Sequence, residues 1–253
     1  MNLNGRVVLV TGAAHRIGRA IALSFAQQGA QIALHYGASK VAARQTAGEF
    51  ATLGFNVEIF HAELSDSNQI DKLFSQVEKQ FGKLDVLVNS AASFQSEPIE
   101  NISPDEWDAV LAVNLRAPFL ASQHAAKLMR ASARDLPALI LNIADLSGIH
   151  PWVGHAHHGV SKAGLIHLTR TLARELAPDI RANAIIPGAI LPPPDVDFTS
   201  DEWQQIIERN LLRRTGTPED VGRTAVFLAE SDFITGAIVP VDGGESLLGP
   251  VGH

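Results

Sequence analysis

The sequence predicts a single α/β domain spanning residues 1–253: a parallel, doubly wound sheet of about seven strands with helices on both faces. Three observations lead there. Short apolar runs alternate with longer segments of helical period, the order expected of repeated β-α-β units with right-handed crossovers. Runs such as Val86-Leu-Val88 and Leu139-Ile-Leu141 are apolar at every position, as strands covered on both faces must be. No Gly/Ser-rich linker, internal repeat or low-complexity tract divides the chain.

The first strand is expected near 6–11, where Val7-Val-Leu-Val10 enters Thr11-Gly-Ala-Ala-His-Arg-Ile-Gly18, and the first helix near 16–29. Further strands are expected near 31–36, 56–61, 84–89, 138–143, 181–186 and 237–241, with helices near 40–53, 66–81, 104–131, 157–177 and 218–229. The last of these helices is announced by Thr217-Pro218-Glu-Asp220, an N-cap, a proline at the first helical position and acids in the first turn. Thr199 and Glu202 have capping-box spacing before one more short helix. The irregular stretch from Pro187 to Ser200, with Pro192-Pro-Pro194, follows a strand, at the carboxyl edge where such sheets bind ligands. It reads as a flap over a substrate or as a rigid surface connection.

Composition narrows the function. The net charge of −7, from Asp+Glu 27 against Lys+Arg 20, argues against a general nucleic-acid surface and leaves room for a local basic pocket. The absence of cysteine excludes disulfides, a thiol nucleophile and cysteine-ligated metal, and fits a reducing cytoplasm. No apolar run approaches the ~20 residues that span a bilayer, and the start shows no signal-peptide pattern. A soluble cytoplasmic protein acting on a small molecule is expected, with neither nucleic acid nor membrane as partner.

The glycine-bearing turn lies between the first strand and the first helix, the context that makes it a dinucleotide site. Gly12 permits the tight turn, Gly18 lets helix and sheet approach, and the helix N-terminus can face a pyrophosphate. These residues resemble the opening motif of the short-chain dehydrogenase/reductase family, a Rossmann-like fold. The resemblance continues in order through Asn89-Ser-Ala-Ala92, Asn114, Asn183 with Pro187-Gly188, and Val241-Asp-Gly-Gly244. It implies a cofactor held by Gly12, His15, Arg16 and Ile17 at the turn, and by Glu63, Leu64, Asn89, Ser90 and Ala91 on the adenine side. Lys162, Pro187, Gly188 and Ile190 are implied beside the nicotinamide.

Arg16 stands where the family usually has its middle glycine, and the resulting motif resembles the pteridine reductase branch. Leu34-His-Tyr36, Phe94 and Asp145 resemble that branch too. The resemblance implies that Arg16 reaches the cofactor phosphates and the substrate, and that Phe94 stacks on a flat ring, work that suits an aromatic side chain. Packing in the core is the other reading of Phe94. An acid at the end of the second strand would repel a 2′-phosphate. Here Tyr36-Gly-Ala-Ser39-Lys40 has none, and His15, Ser39 and Lys40 can supply donors and positive charge, so NADP(H) is expected.

At the reacting end, His158 and Lys162 lie four residues apart and share a helix face, with Asp145 thirteen residues before His158. The resemblance puts His158 at the position of the family's proton-transferring tyrosine and Asp145 at that of its substrate-polarising serine. Lys162 is implied on the nicotinamide ribose and Asn114 in a water and lysine relay. The one tyrosine of the chain, Tyr36, is far away in sequence. A free imidazole, with a pKa of ~6.5 against ~10 for phenol, is well placed for proton exchange near neutrality. It is also shorter than phenol, and Lys162 and Asp145 push its charge in opposite directions.

His150, His155, His157 and His158 are dense but have no recognised ligand spacing, so no metal is expected. The expected function is NADPH-dependent, pteridine reductase-like hydride transfer to a pterin or similar heterocycle, with Arg16, Phe94, Asp145 and His158 at the substrate. Alternatives are a carbonyl or quinone reductase of the same family, and a nucleotide-binding protein whose catalysis is impaired by His158. Family resemblance implies a homo-oligomer, a tetramer.

Overall fold

The computed structural model of the protein describes residues 1–132, 136–192 and 199–248. Seven parallel strands, β1 (Val7–Val10), β2 (Gln31–Tyr36), β3 (Val57–His61), β4 (Val86–Asn89), β5 (Ala138–Ile143), β6 (Ile180–Pro187) and β7 (Ile238–Val241), form one sheet in the order β3-β2-β1-β4-β5-β6-β7. The order reverses between β1 and β4, and the crevice beyond the carboxyl ends of these two strands is where such sheets take ligands.

The period-two alternation of β1 sorts its side chains into two cores. Val8 and Val10 join Ile21 and Phe25 of α1 (Arg16–Gln27) and Val221 and Leu228 of α8 (Pro218–Glu230) on one face. Val7 and Leu9 join Ile70 and Phe74 of α3 (Ser67–Phe81) and Met129 of α5 (Ala117–Ala131) on the other. Both faces are covered, as the unbroken apolar runs require. Helices α2 (Lys40–Thr52) and α6 (Ala156–Glu175) complete the crossovers that hold the site.

Two local expectations are corrected. The single helix expected over 104–131 is α4 (Pro104–Leu111), a π-helical turn over Ala112–Arg116, and then α5. The wide turn sits at Asn114, and π-turns inside helices often mark functional positions. The short helix α7 (Asp201–Arg209) begins one residue later than expected: its N-cap is Ser200, not Thr199, and the Ser200 hydroxyl accepts the Trp203 N–H. The cap of α8 follows its expectation: Thr217 and Asp220 form a reciprocal capping box with Pro218 in the first turn. Residues 193–198 of the proline-rich stretch, expected as a flap or a rigid surface connection, lie outside the described residues.

Candidate active site

The turn after β1 makes the floor of a cleft of about 350 Å³ lined by Gly12, His15, Arg16, Ile17, Gly18, Tyr36, Ser39, Glu63, Leu64, Ser90 and Ala91. Its shape is set by close approaches. Gly12 has φ 65°, and a Cβ there would come 2.8 Å from the Ala91 backbone. A Cβ on Gly18 would come 2.3 Å from the Gly12 carbonyl oxygen, so no larger residue lets α1 start this near the strand. His15 precedes α1 and makes no side-chain cap, so the first N–H groups of the helix face the cleft as an anion cradle. The donor set and the two glycine positions fit a dinucleotide.

Arg16 occupies its glycine-like position with φ 55°, a left-handed conformation that L side chains rarely adopt, and its Nη2 donates to the Pro192 carbonyl at 2.8 Å. At the end of β2, Ser39 and His15 Nε2 lie 3.3 Å apart. Lys40, the first residue of α2, is exposed and does not line the cleft, so any charge it lends to a phosphate acts from the rim.

The side chain of Asn89, expected in the cofactor set, bonds within the sheet. Its amide donates to Asn142 Oδ1 at 2.8 Å, and Asn142 donates to Thr169 at 2.9 Å, a buried chain from β4 through β5 to α6. An unpartnered amide at this depth would be costly, which explains why the side chain turns inward. Thr11, passed over from sequence, does the work between the turns: its hydroxyl accepts the N–H groups of Ser90 at 2.9 Å and Ala91 at 3.1 Å.

The groups expected at the reacting end, Asp145, His158 and Lys162, meet at the carboxyl end of β5. Asp145 precedes a short 3-10 turn, Leu146–Gly148, and accepts the Ser147 N–H and hydroxyl on Oδ1. Its Oδ2 lies 2.6 Å from His158 Nε2 and 4.0 Å from Lys162 Nζ. Lys162 is buried and donates to the Ile143 carbonyl at 3.0 Å. Burial pushes the Asp145 carboxyl up, but the His158 hydrogen bond, the Lys162 charge and the Ser147 hydroxyl outweigh it and hold the pKa down to about 2. Burial lowers the Lys162 ammonium below its ordinary range, opposed by Asp145.

The other nitrogen of His158, Nδ1, faces the Ser93 carbonyl at 3.1 Å. Asn114 surrounds the same point: its Oδ1 accepts Ser93 N–H at 2.7 Å, and its amide donates to Ser93 O and Ser161 Oγ at 2.9 and 3.1 Å. The Asn114 amide nitrogen also lies 3.3 Å from His158 Nδ1, so this ring nitrogen has both a donor and an acceptor within reach. At the other ring nitrogen the Asp145 carboxylate can only accept, so Nε2 donates to it.

Phe94 is 52% exposed, which rules out the core-packing reading. Its ring meets His158 edge-on at 4.9 Å and stacks on His155 at 4.8 Å, with Trp152 edge-on to His155. The clustered histidines are otherwise dispersed, His150 to the Ser246 carbonyl and His155 to the Gln95 carbonyl. Among the described residues no group of three or more potential ligands converges.

Pro187 ends β6, and a Cβ on Gly188 would come 2.7 Å from the Asp242 side chain, so the backbone here runs tight against the end of β7. Ile190 is buried and belongs to the core on the α1 and α8 face of the sheet, its Cδ1 lying where a Cβ on Gly216 would come within 2.4 Å. Asn183 likewise holds the fold, pairing with Ile234 O and Ala237 N.

A family model described as enoyl-(acyl carrier protein) reductase matches residues 12–246. The 3-oxoacyl-[acyl-carrier-protein] reductase FabG of Thermotoga maritima is 34% identical over 247 residues, covering 96% of this chain and 99% of the relative. Among solved structures, FolM alternative dihydrofolate reductase 1 from Brucella canis, complexed with NADP, superposes with a TM-score of 0.90 at 30% identity, covering 97% of this chain and 96% of that one. A metagenomic blue fluorescent protein in complex with NADPH gives 0.87 at 33% identity, covering 97% and 99%. The chain belongs to the short-chain dehydrogenase/reductase family. It is an oxidoreductase of that family, and no helix among its described residues is long and apolar enough to cross a membrane.

Proposed function

We propose that the protein is an NADP(H)-dependent reductase of pteridine reductase type, acting on a pterin or similar conjugated heterocycle. The observation that carries this reading is the convergence of Asp145, His158 and Lys162 under an exposed Phe94, at the same sheet edge as the dinucleotide cleft. NADP(H) is the cofactor: the end of β2 carries no acid, and His15 and Ser39 present polar groups where a 2′-phosphate would lie. The FolM and blue fluorescent neighbours, as complexes with NADP and NADPH, support this choice.

The cofactor supplies a hydride to the substrate. Gly12, Arg16, Ile17, Ser90 and Ala91 bind its phosphates and adenine side, while Lys162, Pro187, Gly188 and the Ile190 backbone border its nicotinamide end. Phe94 stacks the flat substrate, and Arg16 engages its polar edge. Asp145, the more exposed member of its pair with His158, meets the ring N–H groups. The proton held between His158 and Asp145 passes to the substrate's ring nitrogen, and Asn114 fixes the loop carrying Ser93 and Phe94. Residues 1–253 act as one unit, a cytoplasmic homotetramer using the α5 and α6 faces.

The test is reduction of dihydropterins, quinonoid compounds and ketones with NADPH and NADH across pH, in wild type and His158→Tyr. Turnover of a dihydropterin with NADPH preferred is expected. Tighter NADH binding would refute the cofactor assignment, and ketones outpacing heterocycles would favour the carbonyl reductase seen in FabG relatives. A second reading, a nucleotide-binding protein without turnover, is favoured by one observation: His158 is buried and neither ring nitrogen is free. NADPH binding with no turnover across the panel would select it.

A further inference from the structure

We infer that His35, a buried histidine on β2 outside the reacting group, is a positioning residue that fastens two walls of the cofactor cleft together and does so only while its ring is neutral. The inference rests on the dinucleotide reading of that cleft. His35 is 1% exposed and lines the cleft from below. Its Nδ1 accepts the Gly12 N–H at 3.1 Å, and its Nε2 lies 3.0 Å from the Ala62 carbonyl.

A backbone N–H can only donate, so Nδ1 must carry a lone pair and Nε2 the hydrogen. The His35 backbone carbonyl accepts Ala13 N–H at 2.9 Å as well, so this one residue holds two consecutive amides of the glycine turn. On its far side Ala62 leads directly into Glu63 and Leu64 on the adenine wall. The imidazole thus spans from the phosphate turn to the adenine wall across the end of β2.

Protonation would set an N–H of the ring against the N–H of Gly12, two donors facing each other. Burial opposes that charge first and most strongly, and the ring's pKa is lowered to about 4, with His61 lowering it and Glu63 raising it. His15 and Arg16 on the glycine turn face the same cleft. Affinity for dinucleotide is therefore fullest near neutrality and falls as acid approaches the ring's own titration.

The experiment measures NADPH and NADH dissociation constants by calorimetry from pH 7 to 4 in wild type, His35→Gln and His35→Phe, with ¹⁵N NMR of the wild-type ring. NADH is included because a 2′-phosphate itself titrates near ~6 and would blur the NADPH profile. His35→Phe leaves Gly12 N–H and Ala62 O unpaired and should weaken NADPH about tenfold or more at pH 7, whereas His35→Gln, with an amide acceptor and donor, should recover part of it. Wild type should lose NADH affinity below pH 5, and His35→Gln should be flat. The NMR should show a neutral ring protonated at Nε2 at pH 7.

Unchanged affinity in His35→Phe, an acid step that persists in His35→Gln, or a proton on Nδ1 would each overturn the inference. If His35→Phe fails to fold, the ring's tautomer and the His35→Gln pH profile still decide. Failure of wild type to bind either coenzyme would instead refute the dinucleotide reading, while the tautomer would still report on the clamp.

Discussion

His35 and His158 are both buried to within 1% exposure, yet the protein puts the same ring to different uses. His35 lies between a backbone donor, Gly12 N–H, and a backbone acceptor, Ala62 O, an arrangement that a neutral imidazole completes. His158 lies between the Asp145 carboxylate at Nε2 and, at Nδ1, a backbone acceptor and an amide donor, Ser93 O and the Asn114 side chain. Burial alone therefore says little about what a histidine does; the donors and acceptors around it decide. One ring bridges two backbone segments of the cleft, and the other is paired with an acid side chain beside Lys162.

Asp145→Asn should break this contrast most severely. The amide cannot balance the buried Lys162 ammonium 4.0 Å away, and removing one partner of a buried ion pair costs about 3 kcal/mol or more. Turnover of a dihydropterin should fall by about 10²–10⁴, the range for losing acid–base chemistry. His35→Gln should leave kcat nearly intact and act through cofactor affinity. Steady-state kinetics with varied NADPH and urea denaturation of both variants check the pair. Equal kcat losses would mean that the two histidines are not functionally distinct.

The contrast also sets two acid steps in stability. For His35, the folded pKa of about 4 lies below the unfolded value of 6.5, so the unfolded chain binds the extra proton between them. Its contribution is fully present above pH 6.5 and is lost as pH falls towards 4, roughly 3 kcal/mol over that window. For Asp145, the folded pKa of about 2 lies below the unfolded 3.8, so its contribution is present above 3.8 and is lost as pH falls towards 2, roughly 2 kcal/mol. Urea midpoints against pH should show the upper step vanish in His35→Gln and the lower one in Asp145→Asn. A single shared step in wild type, unaltered by either change, would contradict the assignment.

Asn89→Ala should be milder and should spare the cleft. It removes the donor of the Asn89–Asn142 bond and leaves a buried acceptor unpaired, for a loss of about 1–3 kcal/mol. NADPH affinity should change less than twofold, and a larger change in calorimetry would return Asn89 to the cofactor set.

What could be read in advance follows the same division. The glycine turn was legible because Gly12 and Gly18 are dictated by backbone conformation and close approach, which leave few other residue types possible. The two-sided sheet was legible from strands apolar at every position. The π-turn at Asn114 was not, because Ala112-Val-Asn-Leu-Arg116 is compatible with an ordinary helix and the widening is tied to contacts with Ser93 and Ser161 distant in sequence. His35 enters the sequence reading only within Leu34-His-Tyr36, yet a polar residue amid apolar neighbours near the end of a covered strand must find partners. Asp145, His158 and Lys162 could be named together by spacing, but the pairing of Nε2 with the acid and Nδ1 with Ser93 depends on a loop 65 residues away.

Arg16→Gly should have the smallest effect on the fold and tests whether the cofactor turn tolerates chemistry at a glycine position. Arginine at φ 55° carries about 1 kcal/mol of left-handed strain that glycine would relieve. Glycine adds a comparable entropy to the unfolded chain, and the bond from Nη2 to the Pro192 carbonyl disappears. These contributions nearly cancel, so thermal unfolding should shift by no more than about 1 kcal/mol in either direction. Ligand binding should not cancel, because the guanidinium supplies both positive charge beside the phosphate cradle and a tether to the segment entering the proline-rich stretch. Calorimetry should show weaker NADPH and weaker heterocycle binding in Arg16→Gly. A variant that instead loses several kcal/mol of stability while binding both ligands normally would make Arg16 a brace of the fold, and the strained conformation would then need a structural explanation.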